Sequence, residues 1–168
     1  MKRTFKILAI FIVVVVTLMA FAFSPPGNAS GAYSSEDTDK KLKNTVILYE
    51  GSSTAYVNGT KTKIDELNPD IVPIVKNNIM LIPVRFISES LGGSVGWDGN
   101  TCTVSIALDG KTVKLKQGSN IVAVDDDIWY EFTAPVEAIG GRTYAPLDGF
   151  VETLGKNVIK KGELIVIT

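Results

Sequence analysis

Residues 83–92 read PVRFISESLG, and residues 146–155 read PLDGFVETLG, 63 positions further along the chain. Pro, Glu, Leu and Gly stand at matched places in the two stretches. In each, apolar residues follow the spacing of one helix face, as Val84, Ile87 and Leu91 do. Pro suits the first turn of a helix and Gly its end. The two stretches therefore predict two short helices with the same start and stop signals.

The match extends outward from these helices. Gly51-Ser52 returns as Gly118-Ser119, at an offset of 67 that falls to 63 by the helices. The first copy thus carries about four extra residues, near positions 69–73, and the repeated unit is roughly 60 residues long. Such a duplication is typical of a structural or binding module. We assign residues 45–107 to a first repeat and residues 108–168 to a second.

Short apolar runs surround each predicted helix, and turn signals such as Asn58-Gly59 separate them. Asn-Gly between alternating runs is a strong hairpin signal because both residues tolerate positive φ. Each repeat then contains four or five strands and one helix. The predicted fold class is α+β, with two tandem units, each a mainly antiparallel β-sheet packed around one short α-helix. The sequence leaves open whether the units share one core.

The N-terminus has the layout of a secretory signal. Three basic residues within the first six positions precede an apolar run at residues 7–23. We predict a signal peptide over residues 1–32 or, if it is not cleaved, a membrane anchor formed by the apolar run. Both place the rest of the chain outside the cytoplasm. The polar residues 33–44 predict a flexible linker.

Composition excludes several kinds of site. The chain has no histidine, so imidazole copper ligands and His-dependent catalytic triads are absent. The single Cys102 cannot form an internal disulfide. Its alternation with Val104 and Ile106 predicts a buried, small hydrophobic side chain, with a reactive thiol as the alternative. Beyond residue 6, 14 basic residues stand against 18 acidic ones, a balance that argues against nucleic-acid binding. We predict no cofactor, no metal and no catalytic residue.

Acidic residues offer two weaker alternatives. The run Asp125-Asp126-Asp127 contains oxygen ligands that suit calcium, but it replaces the Asn58-Gly59 turn and is more simply a hairpin turn. Glu89 and Glu152 stand at equivalent helix positions, whereas glycoside hydrolysis needs two carboxylates facing one cleft. Exposed helix faces, with an Arg85–Glu89 pair four residues apart, are the simpler interpretation.

Aromatic residues beside acidic ones are the candidate ligand-binding residues. They are Trp97, Asp98, Trp129 and Tyr130. A flat ring stacks on the apolar face of a sugar while a neighbouring carboxylate accepts hydrogen bonds from its hydroxyls. The alternative is that Trp97 and one of the other two rings belong to the core.

The motif around the first predicted helix resembles the N-terminal domain family of copper amine oxidases, in the form found in exported bacterial proteins. A strand enters Pro-x-Arg-Phe, followed by Glu, Leu-Gly and Val-x-Trp-Asp. The first repeat supplies Pro83, Arg85, Glu89, Leu91 and Gly92. The second supplies Pro146, Leu154 and Gly155.

The second repeat is degenerate with respect to this motif, because Asp148 and Gly149 stand where it has Arg and Phe, and Trp-Asp is missing. The resemblance covers nearly all of residues 45–168. It implies an accessory stalk domain in an exported setting, without oxidase chemistry.

These features together predict an exported, non-catalytic stalk or binding module at the bacterial cell surface. Its predicted partner is an envelope glycan or another surface protein, and it meets the membrane only through an uncleaved N-terminal segment. The alternative is a pure structural spacer or protein-assembly module. A remote alternative is a carboxylate-dependent glycan hydrolase.

Overall fold

The computed structural model describes residues 42–168. The predicted signal peptide or anchor at residues 1–32 and residues 33–41 of the predicted linker at residues 33–44 lie outside this range. The strands are β1 (Val46–Tyr49), β2 (Thr54–Val57), β3 (Thr60–Lys63), β4 (Ile74–Lys76), β5 (Ile79–Pro83), β6 (Ser94–Asp98), β7 (Thr103–Leu108), β8 (Lys111–Lys116), β9 (Ile121–Val124), β10 (Ile128–Glu131), β11 (Glu137–Ile139), β12 (Arg142–Pro146), β13 (Val158–Lys161) and β14 (Leu164–Ile167).

Two helices, α1 (Val84–Ser90) and α2 (Leu147–Thr153), occupy the positions that the repeated motif predicts. Each follows a strand that ends in Pro, and each is followed by a glycine in the left-handed region, Gly92 at φ +90° and Gly155 at φ +68°. Only glycine adopts this conformation without a steric penalty, which explains why both stop signals are Gly. Neither of these helices is long and apolar enough to cross a bilayer.

The strands form three antiparallel sheets. Sheet I has the order β13-β14-β1-β2-β3, sheet II has β10-β9-β8-β7-β6, and sheet III has β11-β12-β5-β4. The predicted hairpin at Asn58-Gly59 joins β2 to β3, with both residues at positive φ. The α+β class with mainly antiparallel sheets is therefore confirmed.

Each of these sheets contains strands from both halves of the chain. The sequence had predicted a separate sheet for each of the two units, so this prediction is wrong. The last two strands of one half complete the sheet that the first three strands of the other half begin. This happens because β1 pairs with β14 and β7 pairs with β8. The buried apolar residues accordingly form one cluster that runs through both halves.

The pairing of β5 with β12 at the centre of sheet III is self-complementary. Leu81 lies opposite Pro146, Ile82 opposite Ala145, and Pro83 opposite Tyr144. At the offset of 63, Leu81 corresponds to Tyr144 and Pro83 to Pro146, so the pattern maps onto itself about the Ile82–Ala145 pair. An approximate twofold relation between the halves has this signature.

Backbone hydrogen bonds recur at matched positions in the two halves. The Gly51 amide donates to the Pro73 carbonyl at 2.8 Å, and the Gly118 amide donates to the Val136 carbonyl at 2.8 Å. Other matched amide donors are Ser52 and Ser119, Asn58 and Asp125, Ile64 and Phe132, and Leu91 and Leu154.

Cys102 is exposed, so the prediction that it is buried is wrong. It lies just before β7, which begins at Thr103, and it has a φ of +53°. The alternation that places Val104 and Ile106 in the core is correct, but it does not extend back through the turn.

We expect Cys102→Val to lower the free energy of unfolding by about 1–2 kcal/mol, because a β-branched residue fits poorly at positive φ. We expect Cys102→Asn to stay within about 0.5 kcal/mol of the parent, because Asn tolerates this conformation. Urea unfolding of both variants measures the difference. Equal stabilities would contradict the left-handed conformation of this residue.

Candidate functional site

An open groove of about 960 Å³ runs along the exposed side of α1. The edge strands β3 and β6 both contribute to its walls, together with the loop after β3 and the β11–β12 hairpin. We call it the α1 groove. Its lining residues include Thr62, Lys63, Ile64, Asp65, Glu66, Leu67, Arg85, Phe86, Glu89, Val95, Trp97, Gln117, Arg142 and Thr143.

Trp97 is the candidate ligand-binding residue that lines this groove. It lies on β6 opposite Val104, which lies opposite Leu115, and both of these are buried. The indole is therefore on the core-facing side of sheet II, but at its open edge, and it remains 48 % exposed. The position explains why a ring on the core-facing side of the sheet is still open to the groove.

Asp98 does not line the groove. Its carboxylate accepts the Asn100 amide at 2.9 Å and the Thr101 hydroxyl at 2.8 Å, which closes the turn between β6 and β7. The Thr101 hydroxyl, followed by the Asn100 amide, lowers the pKa of Asp98 below its ordinary value. Trp97 and Asp98 therefore have different roles: the indole lines the groove, and the carboxylate stabilises the turn.

Trp129 and Tyr130 lie on β10, at the opposite edge of sheet II from Trp97. Tyr130 is opposite Val122 in the same cross-strand row as Trp97, and it is 37 % exposed. Trp129 is on the other face of the sheet and is 66 % exposed. The structure therefore does not bring the four predicted binding residues together.

Arg85 ties α1 to β6. Its guanidinium donates to the Glu89 carboxylate at 3.0 Å and to the Val95 carbonyl at 3.2 Å. The expected Arg85–Glu89 pair is present, with both side chains about half exposed. The sequence did not indicate the second contact, from Arg85 to the Val95 carbonyl. This contact holds the backbone of β6 two residues before Trp97.

Asp65 and Arg142 form the pair that sequence reasoning missed. The Arg142 Nε donates to Asp65 at 2.6 Å, and the other carboxylate oxygen accepts the Leu67 and Asn68 amides at 2.9 Å each. The hydrogen bond from Arg142 holds the pKa of Asp65 below its ordinary value, and the same contact raises the pKa of Arg142. Asp65 thereby ties the loop after β3, one wall of the groove, to strand β12.

In the second half, a phenylalanine packs against the helix at the matching place. Phe132 occupies the position of Ile64, is 3 % exposed, and lies so close to Gly149 that a Cβ there would be 2.7 Å from its ring. In the first half the smaller Ile64 and, on the helix, Phe86 both line the α1 groove. The glycine at position 149, where the motif has Phe, fits this packing, because a side chain there would meet the Phe132 ring.

The remaining motif residues are structural. Pro83 and Pro146 end the central strands of sheet III and are buried. The two motif leucines pack in the core, with Leu91 7 % and Leu154 4 % exposed.

The acidic run at Asp125-Asp126-Asp127 forms the hairpin turn between β9 and β10, as predicted. Asp125 accepts the Thr112 amide at 2.7 Å, and Asp126 pairs with Lys114 at 2.6 Å. Within residues 42–168, no group of three or more acidic or Cys side chains is arranged to hold a metal ion.

A model of the copper amine oxidase N-terminal domain matches residues 63–168. The chain belongs to this family. The match contains both helices, Trp97 and every groove residue from the end of β3 onward. In copper amine oxidases this N-terminal domain is non-catalytic. Among curated proteins, none matches the chain.

Proposed function

We propose that this chain is an exported, non-catalytic module at the bacterial cell surface that binds an envelope component in the α1 groove. The observation that carries the proposal is the placement of Trp97, a half-exposed indole at the wall of a large open groove. Exposed aromatic rings in concave sites are common anchors for ligands.

The chemistry of the groove supports binding over catalysis. Each of its three carboxylates, Asp65, Glu66 and Glu89, is in an ion pair with a basic side chain. A glycoside hydrolase needs a general acid with a raised pKa, whereas the pKa of Asp65 is lowered. The hydrolase alternative is correspondingly weak.

The export and the repeat organisation are part of the proposal. Basic residues followed by an apolar run at residues 7–23 support an N-terminal export signal or anchor at residues 1–32. The self-complementary β5–β12 pairing and the recurring hydrogen bonds support two repeats, at residues 45–107 and 108–168. Joined through shared sheets, the repeats would act as one rigid stalk.

The second candidate is a spacer or assembly module that pairs with another chain through a sheet edge. The observation in its favour is exposed apolar area on the edge strands β10 and β13, where Trp129 is 66 % and Ile159 is 65 % exposed. Lys160 and Lys161 on β13 oppose it, because charged edge residues discourage strand addition.

The test is co-sedimentation of the full-length chain with isolated bacterial cell walls. We expect saturable binding that Trp97→Ala weakens by about tenfold, the loss of one stacking contact. The matched control is Trp129→Ala, which removes a more exposed indole outside the groove and is expected to change the affinity less than about twofold. A folded chain that does not bind would leave the spacer function.

A further inference from the structure

We infer that the occupant of the α1 groove is an uncharged polysaccharide chain that stacks on Trp97. This inference rests on the proposed function and names its ligand class. Three observations support it: the charged side chains in the groove are paired, the edges of strands β3 and β6 are protected against an added strand, and the lining contains both apolar and hydrogen-bonding side chains.

The charged residues that line the groove neutralise one another. They form three ion pairs, Lys63–Glu66 at 3.0 Å, Asp65–Arg142 at 2.6 Å and Arg85–Glu89 at 3.0 Å. An anionic wall polymer or an acidic peptide needs surplus positive charge in its site. The groove offers no such surplus among these residues, so the charge complementarity favours a neutral ligand.

Both strand edges in the groove are protected against an added peptide strand. On β6 the Val95 carbonyl already accepts a hydrogen bond from the Arg85 guanidinium. An added strand needs that carbonyl and its neighbours free for a continuous ladder. Along β3, Lys61 and Lys63 place charges on the edge, a common protection against strand pairing. An extended polypeptide is therefore a poor fit.

A sugar chain fits what remains. Trp97 supplies a flat apolar surface, and Leu67, which is 88 % exposed, adds a second apolar surface to the lining. The carboxylates and guanidinium groups of the ion pairs and the Gln117 amide, which also line the groove, can exchange hydrogen bonds with hydroxyl groups. A volume of about 960 Å³, open along its length, has room for several sugar rings.

The experiment uses the full-length chain carrying Trp129→Phe, so that Trp97 is the remaining indole. Cellohexaose, chitohexaose and maltohexaose are the neutral probes, and hexagalacturonate and polyglycerol phosphate are the anionic ones. A hexapeptide of alternating Val and Thr represents an added strand. Trp97 fluorescence and calorimetry report binding.

We expect at least one neutral hexasaccharide to bind, with an affinity that changes less than about twofold between about 20 mM and about 500 mM salt. Adding Trp97→Ala, followed by calorimetry, should weaken it by about tenfold. Tighter binding of an anionic probe that is lost in salt, or binding of the peptide alone, would overturn the inference.

The wall experiment separates the two failures. If walls bind in a Trp97-dependent manner but no neutral probe does, the polysaccharide inference is wrong and the proposed function stands. If neither walls nor probes bind, both are wrong.

Discussion

Replacing Phe132 with Ala is expected to lower the free energy of unfolding by about 3–5 kcal/mol, the range for truncating a buried Phe. The ring is 3 % exposed and packs directly over Gly149 of α2. Because glycine offers no side chain to move into the gap, the site can collapse little, and the cavity remains. Urea unfolding monitored by circular dichroism measures the loss.

The matched control is Phe86→Ala in the first half. Phe86 is only partly buried and lines the open groove, so its truncation leaves less cavity and should cost about 1–2 kcal/mol. Equal losses for the two phenylalanines would show that the second half is not more tightly closed than the first.

Gly149→Ala tests the same contact from the other side. Alanine ordinarily stabilises a helix relative to glycine by about 1 kcal/mol. Here the added Cβ would lie 2.7 Å from the Phe132 ring, so we expect a net destabilisation of about 1–2 kcal/mol. Adding Phe132→Leu to Gly149→Ala should recover part of the loss, and no recovery would argue against this contact as its source.

Replacing Asp65 with Asn should lower stability at neutral pH by about 1–2 kcal/mol. Asn keeps an oxygen for the Leu67 and Asn68 amides but loses the charge that Arg142 contacts. This value is in the lower part of the range of stabilisation by hydrogen bonds between charged groups, because Arg142 is 36 % exposed and solvent weakens the interaction.

The pH dependence of this loss follows from the lowered pKa of Asp65. The folded protein holds the carboxylate ionised more strongly than the unfolded chain does. The stabilisation is therefore complete above the ordinary pKa of 3.8 and disappears as the pH falls through the lower folded value. We expect the stability gap between the parent and Asp65→Asn to narrow as the pH falls below the ordinary pKa of 3.8 and to close below the lowered pKa of folded Asp65.

Thermal unfolding of both proteins across this range measures the gap. Asp98, whose pKa is also lowered, is present in both proteins and cancels in the difference. A gap that persists unchanged at low pH would show that Asp65 acts through packing and not through its charge.

Local sequence signals predicted the helices and turns well where a single residue type is suited to a particular backbone conformation. The Pro and Gly that bracket each helix, and the Asn58-Gly59 turn, are of this kind, because positive φ and a missing amide are properties of single residues. Cys102 shows the limit of such signals, since alternation does not reveal where a strand begins.

The candidate site was predicted in part, and the reason is distance along the chain. Trp97 was identified from its neighbours, but most of the other residues that line the groove with it come from distant parts of the chain. Asp65 and Arg142 are 77 residues apart, and only a turn signal around Asp65 could have drawn attention to it.

The sequence by itself determined the repeated strand–helix pattern, the helix ends, the absence of histidine chemistry and the membership suggested by the Pro-x-Arg-Phe motif. Only the tertiary structure decided that the halves exchange strands, because apolar alternation specifies which face of a strand is buried but not which strand lies beside it. It also decided that a groove lies beside the first helix and that Phe132 packs against Gly149 of the second. Both depend on contacts between residues whose sizes matter only once they are placed together.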